Sequence, residues 1–390
     1  MSMLTVAKAQ TFPEGLYVHV PFCASLCRYC DFASEIHTAA RAERYLGALE
    51  TELSVRVADL LPDERFAPRT IYVGGGTPTA LSIAELTRFF DILRKHVDAS
   101  RVVEFTIEAN PGSTDEAKLE LLRRRGVNRI SLGVQSFQPR FLSLLGRVHS
   151  AEQGREAVPL ARAAGFDNIS VDLIHGLPGQ SPDDLRRDLD AVAALQTEHV
   201  SAYGLAYEEG TPLHAAVQRG EIAPLTPEQE AAHYMTVMET LEQAGLLQYE
   251  ISNYARPGRE CRHNMMYWRN EAYLGVGASA ASFIQWQRST NHEDVDAYVE
   301  AVEATGKASA TSEVLTPEAR AREALVLELR LRRGVELAEF KNRWGLDFAA
   351  ACSPAHGFLR EGLMERTEDG RYRISRRGLP VADGILAEFV

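Results

Sequence analysis

The chain has 390 residues, 45% of them hydrophobic, and its 54 acidic against 42 basic side chains leave a net charge of -12 at pH 7. That balance excludes a general binder of phosphate backbones, which needs clustered Lys and Arg, so nucleic acid is not an expected partner. No apolar run approaches the roughly 18 to 20 residues that cross a bilayer, and Met1 to Pro13 lacks the charged start and apolar core of a secretory signal, which points to the cytoplasm and leaves only peripheral membrane contact open.

After a short N-terminal extension over 1–14, an apolar β-rich run, a polar or glycine-rich turn and a helical segment alternate from residue 15. The strand candidates are Leu16–Val20, Thr70–Val73, Val103–Ile107, Arg129–Val134, Ile169–Ile174 and Val200–Leu205. Between them, Ser82-x-x-Glu85, Ser113-x-x-Glu116 and Ser150-x-x-Gln153 have the form of capping boxes, whose side chains satisfy the free N–H groups of a first helical turn. A helix from Thr114 to Arg125 stops at Gly126, and Ser181-Pro182-Asp183-Asp184 opens another with proline and acids where the helix dipole favours them. Helical crossovers between successive strands demand parallel pairing. The six units over 15–225 therefore fit either an open doubly wound sheet or a partial barrel.

Thr226-Pro227-Glu228-Gln229 starts a further helix, and the span 226–310 reads as a helical accessory segment that includes Gly275–Ala280. The remainder, 311–390, reads as a small domain: two or three helices after Thr316, a hairpin within Leu363–Ile374 turning at Asp369-Gly370, and a final helix.

In a parallel barrel the site lies in the loops that follow the strands, and the unusual residues of this sequence fall there. Cys23-Ala-Ser-Leu-Cys27-Arg-Tyr-Cys30 follows strand one, Gly74-Gly75-Gly76-Thr77-Pro78 strand two, and Glu108 closes strand three. Gln135 follows strand four, Asp172 lies in strand five, and Ala206 ends strand six. Three of the five cysteines thus fall within eight residues. Three thiolates can hold three irons of a cubane and leave the fourth open. A zinc site would instead recruit His19, Asp31 or His37 as its fourth ligand. A disulfide suits neither the odd number of thiols nor a reducing compartment, and Cys261 and Cys352 read as small buried hydrophobes.

Glu108 and Asp172 are single acids in apolar strand ends, where an unpartnered carboxylate is costly. Arg147 can pair bidentately with a carboxylate. The glycine triplet either lets backbone approach a ligand or simply makes a tight turn.

The spacing C-x3-C-x2-C, preceded by Tyr17-Val18-His19-Val20-Pro21-Phe22 and followed by Asp31-Phe32, resembles the radical S-adenosylmethionine (SAM) superfamily. Within it, the sequence from about Leu16 onward is similar to the oxygen-independent coproporphyrinogen III oxidase family. The resemblance implies an α/β fold: an incomplete (β/α)6 radical SAM barrel with a small α+β winged-helix-like C-terminal domain. It implies a [4Fe-4S] cluster on Cys23, Cys27 and Cys30, with SAM on the open iron. SAM would then meet Tyr17, Tyr29, Gly75, Gly76, Thr77, Glu108, Gln135, Arg147, Asp172, Ala206 and Ala281. It also implies an electron donor protein and cleavage of SAM to methionine and a 5'-deoxyadenosyl radical.

Two features depart from the oxidases. They carry a further cysteine two positions after the third ligand, where this sequence has Phe32, and an N-terminal extension of which little is present here. In addition, Cys261-Arg262-His263-Asn264-Met265-Met266-Tyr267-Trp268 contains H-N-x-x-Y-W, which resembles the mark of the HemW branch, whose members bind heme and deliver it to client proteins. On that resemblance His263 is the candidate axial ligand and Cys261 a second one, with Tyr267 and Trp268 packing on the macrocycle. Without it, a histidine among aromatics is more often a satisfied core or surface histidine than a ligand. The reading is a heme chaperone. The alternatives are radical SAM decarboxylation of coproporphyrinogen III, or chemistry on another tetrapyrrole, and a zinc-stabilised barrel without redox chemistry. Whether the chain is an enzyme stays open at this point.

Overall fold

The computed structural model describes residues 12–346 and 353–390, so Cys352 and most of the 1–14 extension lie outside the described residues. Six parallel strands stand side by side in chain order: β1 (Gly15–Val20), β2 (Thr70–Gly75), β3 (Glu104–Ala109), β4 (Arg129–Gln135), β5 (Ile169–His175) and β6 (His199–Gly204). Between them run α1 (Ala39–Leu60), α2 (Ile83–His96), α3 (Glu116–Arg124), α4 (Pro139–Leu145), α5 (Ala151–Ala163) and α6 (Pro182–Ala194). Strand β4 shows how one sequence serves both faces of such a sheet, since alternate side chains point to opposite sides. Ile130, Leu132 and Val134 are fully buried in the main hydrophobic core, whereas Arg129, Ser131, Gly133 and Gln135 line an inner cavity.

Capping boxes form at Ser82, Ser150 and Ser181. The one expected at Ser113 does not: Asp115 caps α3 by accepting from the Lys118 N–H at 2.8 Å. Ser113 is committed to a preceding 3-10 turn, its hydroxyl 2.6 Å from Thr79 and 2.9 Å from the Asn110 carbonyl.

The span 226–310 carries strands as well as helices, which the helical reading did not include. After α7 (Pro212–Gln218) and α8 (Pro227–Gln243) come β7 (Leu247–Gln248), β8 (Asn253–Ala255), α9 (Arg262–Trp268), β9 (Tyr273–Val276), β10 (Ala281–Ile284), β11 (Gln287–Asn291), α10 (Val295–Thr305) and β12 (Ser309–Val314). β8 and β7 pair antiparallel beyond β6, and β9 joins the free edge of β1 in parallel, followed by β10, β11 and β12. These additions cover edges that would otherwise expose unpaired backbone groups. Most are too short to show a two-residue period in sequence.

The C-terminal unit follows the expected order: α11 (Pro317–Leu329), α12 (Leu337–Trp344), α13 (Ser353–Glu361), a hairpin of β13 (Met364–Arg366) and β14 (Tyr372–Ile374), then α14 (Ala382–Ala387). Among the described residues no helix is long and apolar enough to cross a membrane.

Candidate functional site

A cavity of about 410 Å³ lies at the C-terminal ends of the barrel strands and reaches inward to Arg129 and Asn264. At its mouth, Cys23, Cys27 and Cys30 are partly exposed free thiols. The glycine segment after β2 holds their loop in place: the Gly76 N–H donates to the Val20 carbonyl at 2.9 Å and the Thr77 N–H to the Phe22 carbonyl at 2.7 Å. The Thr77 hydroxyl lies 3.6 Å from the Cys23 sulfur. A Cβ at Gly75, where φ is +113°, would meet the His19 ring at 2.6 Å, and one at Gly76 would meet the Pro21 carbonyl carbon at 2.8 Å. The triplet therefore lets the chain pack closely on itself beneath the thiols. On the other side, the Arg28 N–H donates to the Leu145 carbonyl at 2.9 Å and the Leu213 N–H to the Arg28 carbonyl at 2.8 Å.

Burial pushes the Cys23 thiol up and Cys30 to about 11, so ligation here would displace protons. Arg147 brings the compensating charge, donating from Nη1 to the Cys27 sulfur at 3.3 Å and from Nη2 to the Gly133 carbonyl at 2.5 Å. Deeper in the barrel, Glu108 accepts from the Tyr72 hydroxyl at 2.7 Å and the Gly75 N–H at 3.2 Å. Burial pushes Glu108 up to about 7 against the Tyr72 hydrogen bond, with Asp172 adding repulsion. Asp172 accepts from the Ser131 hydroxyl at 3.1 Å, and burial raises it too. Thiols, an arginine and two buried carboxyls suit a ligand that carries a cation, hydroxyls and a carboxylate, beside metal that takes thiolates.

Of the residues expected from sequence, Cys23, Cys27, Cys30, Tyr29, Gly75, Gly76, Thr77, Glu108, Gln135, Arg147, Asp172 and Ala206 line this one cavity. Tyr17, Ala281 and His263 do not. Tyr17 stacks on Tyr72 at 6.3 Å and its hydroxyl lies 3.1 Å from His19 Nδ1. Ala281 sits in β10 beneath Gly275, where a Cβ would lie 1.9 Å from its carbonyl oxygen.

His263 lies apart from that cavity. It is 0% exposed at the N-terminal end of the barrel, with Nδ1 2.9 Å from the Thr70 hydroxyl and Nε2 2.8 Å from the Tyr267 hydroxyl. Burial lowers it to about 3. Both ring nitrogens are partnered, as in a core histidine. Cys261 is also fully buried, 3.5 Å from Glu104, and burial pushes it to about 12. Trp268 packs under the Arg330 guanidinium at 4.6 Å. Of the donors weighed for zinc, His19 Nε2 lies 2.8 Å from the Ala33 carbonyl and His37 Nε2 3.0 Å from Glu85, which leaves Asp31 on the wall.

Sequence reasoning missed Tyr72, Arg129, Ser131 and Ser201, all on the cavity wall. For Arg129 and Ser131 the signal was available in β4, where polar or small residues occupy every second position of an otherwise aliphatic strand.

Comparison with known proteins agrees with this geometry. A family model of the radical SAM superfamily matches residues 17–192, and one of the HemN C-terminal domain matches 315–381. The chain is 35% identical over 380 residues to the heme chaperone HemW of Bacillus subtilis (strain 168), covering 97% of this chain and 99% of that protein. It is 38% identical over 379 residues to the heme chaperone HemW of Mycobacterium tuberculosis (strain ATCC 25618 / H37Rv), covering 96% and 94%. The solved coproporphyrinogen III oxidase (HemN) from Escherichia coli, a radical SAM enzyme, superposes with a TM-score of 0.84 at 26% identity, covering 99% of this chain and 92% of that one.

Proposed function

We infer the function from one premise: the chain belongs to the family of heme chaperones HemW, within the radical SAM superfamily. Its function is that of a heme chaperone, which binds heme and hands it to client proteins. We propose that Cys23, Cys27 and Cys30 hold a [4Fe-4S] cluster at the barrel mouth and that SAM lies against Gly75–Thr77, Glu108, Gln135, Arg147 and Asp172. The observation that carries this assignment is the convergence of all these side chains on one cavity beneath the thiols.

When bound, such a cluster with its nucleotide supplies one-electron chemistry. The chain's own residues orient and shield it. Arg147 offers a guanidinium to thiolate or carboxylate, Glu108 and Asp172 accept from hydroxyl or ammonium groups, and the aliphatic outer faces of the strands keep the barrel wall dry. Phe32, 65% exposed, stands where the oxidases carry their further cysteine and offers no thiol, which weighs with the chaperone relatives against porphyrinogen decarboxylation. An electron donor protein is a further expectation of the reading.

The test is anaerobic purification followed by heme titration and transfer to an apo-hemoprotein, with iron and sulfide analysis of wild type and Cys27→Ser. Stoichiometric heme uptake and near-integral iron and sulfide, lost in Cys27→Ser, are expected. Absence of heme uptake by the wild type refutes the chaperone reading, and zinc without sulfide refutes the cluster.

A further inference from the structure

A second cavity, of about 770 Å³, lies on the side of α9 away from His263. It is bounded by the loop before β1, the start of β2, the β7–β8 region, α9 and the segment Leu331–Arg333 of the C-terminal unit. Its wall combines two chemistries. Val103 and Leu247, each about half exposed, stand with Met265 and Leu331 as an apolar side. Against them are set the guanidinium groups of Arg69, Arg262, Arg269 and Arg333. Among the described residues none of these four has an ion-pair partner within 4 Å. The Arg269 Nε is buried with no hydrogen-bond partner. Burial lowers Arg333 against the attraction of Glu328, with Arg269, Arg371 and Arg343 adding repulsion.

The acids on the same wall do not cancel this excess. Glu14 faces Arg101 at 3.3 Å, Glu260 accepts from the Gly258 N–H, and Glu271, raised by burial, is drawn the other way by Arg269, Arg343 and Arg69, so these three acids stand against five arginines on the wall, Arg332 among them. Cations that outnumber the acids of a half-enclosed cleft and make no ion pair within 4 Å are a site for an anion with more than one carboxylate, because each guanidinium offers a planar pair of donors.

The size favours one class of ligand. Cofactor-sized molecules occupy roughly 300–1,000 Å³, and the barrel cavity of about 410 Å³ is already claimed by the thiol site. On the chaperone reading, we propose that the second cavity receives the heme cargo: the ring against the apolar wall beside Met265, its two propionate carboxylates among Arg69, Arg262, Arg269 and Arg333. His263 is then a framework residue whose helix presents the site from its opposite face.

The test titrates full-length, anaerobically purified protein with heme, metal-free protoporphyrin IX and protoporphyrin IX dimethyl ester, followed by Soret absorbance and tryptophan quenching. Metal-free porphyrin separates carboxylate recognition from iron ligation. The Arg262→Ser/Arg269→Ser variant and Leu247→Trp, which fills the rim from a solvent-facing position, are compared with wild type after circular dichroism shows each folded. We expect both to weaken protoporphyrin about tenfold or more. The ester should bind wild type about as weakly as the acid binds the arginine variant, with no further loss in that variant. Heme binding unchanged in both variants overturns the site while leaving the chaperone function intact. No heme binding by the wild type overturns the function on which the site rests.

Discussion

Replacement of Glu104 by alanine should release α9 from the floor of the barrel. Glu104 is the first residue of β3 and is 3% exposed, yet its carboxylate accepts from the backbone N–H of Arg262 at 2.9 Å and of His263 at 3.0 Å. Cys261, at the N-cap position of α9, makes no side-chain cap bond of its own. The cap is thus supplied from another element, and a helix of seven residues has little stability without it. A hydrogen bond to a charged acceptor contributes roughly 1.5–3 kcal/mol and an N-cap about 1 kcal/mol. Allowing for solvent reaching the freed N–H groups, the loss is about 3 kcal/mol of local stability, or roughly a hundredfold in the opening equilibrium.

Hydrogen exchange measured by mass spectrometry over 262–270 reads that opening directly. Glu104→Ala should accelerate exchange about a hundredfold there while leaving peptides of β5 and α6 unchanged. Glu104→Gln, a neutral acceptor of the same shape, should cost about half as much. Exchange in Glu104→Ala within about threefold of wild type would show that α9 is held by something other than this cap, and the assignment of Glu104 would be wrong.

His263, lowered by burial to about 3, stays neutral in the folded chain while its unfolded counterpart titrates near 6.5. Its contribution is complete above about 6.5 and is lost as pH falls, by about 2 kcal/mol between pH 6.5 and 5. Denaturant midpoints of His263→Gln should therefore fall less steeply with acidification than those of wild type, and parallel curves would contradict it. Glu52, fully buried in α1, accepts from the Gly277 N–H, the Asn291 amide and the Tyr298 hydroxyl at 2.7–2.8 Å. Glu52→Ala strands three donors and should lower the thermal midpoint by about 3–5 kcal/mol equivalent, whereas a shift near zero would show that water replaces it. Gly76→Ala drives a Cβ to 2.8 Å from the Pro21 backbone and should reduce anaerobic iron loading along with stability. Full iron content in that variant would disprove the packing role of the glycine segment.

The parallel core and the cysteine site were legible because both rest on local signals. Strand, glycine turn and capped helix repeat six times between 15 and 225, and three thiols in eight residues have few alternative uses. The strands beyond that core were not legible, because β7 and β8 have two and three residues and draw their pairing from the edge of β6. The inner wall was half legible. Glu108 and Asp172 stand out as acids in apolar strands, whereas Ser131 and Tyr72 become partners only once neighbouring strands bring hydroxyl and carboxyl together. The cap of α9 by Glu104 could not be read at all, since 157 positions separate Glu104 from Cys261.

Helix α9 divides its motif between two faces. His263 and Tyr267, four residues apart, lie on the same side of a helix and meet, as their 2.8 Å hydrogen bond records. That side closes the barrel floor, where Asn264 reaches the inner cavity. Arg262, Met265, Met266 and Arg269 follow the complementary spacing of three, four and seven, and all four line the second cavity. The conspicuous residues of the motif are therefore the ones a fixed interior interface requires. Of their less conspicuous neighbours, Arg262, Met265 and Arg269 take the more open face, while Met266 is itself buried against Gly15.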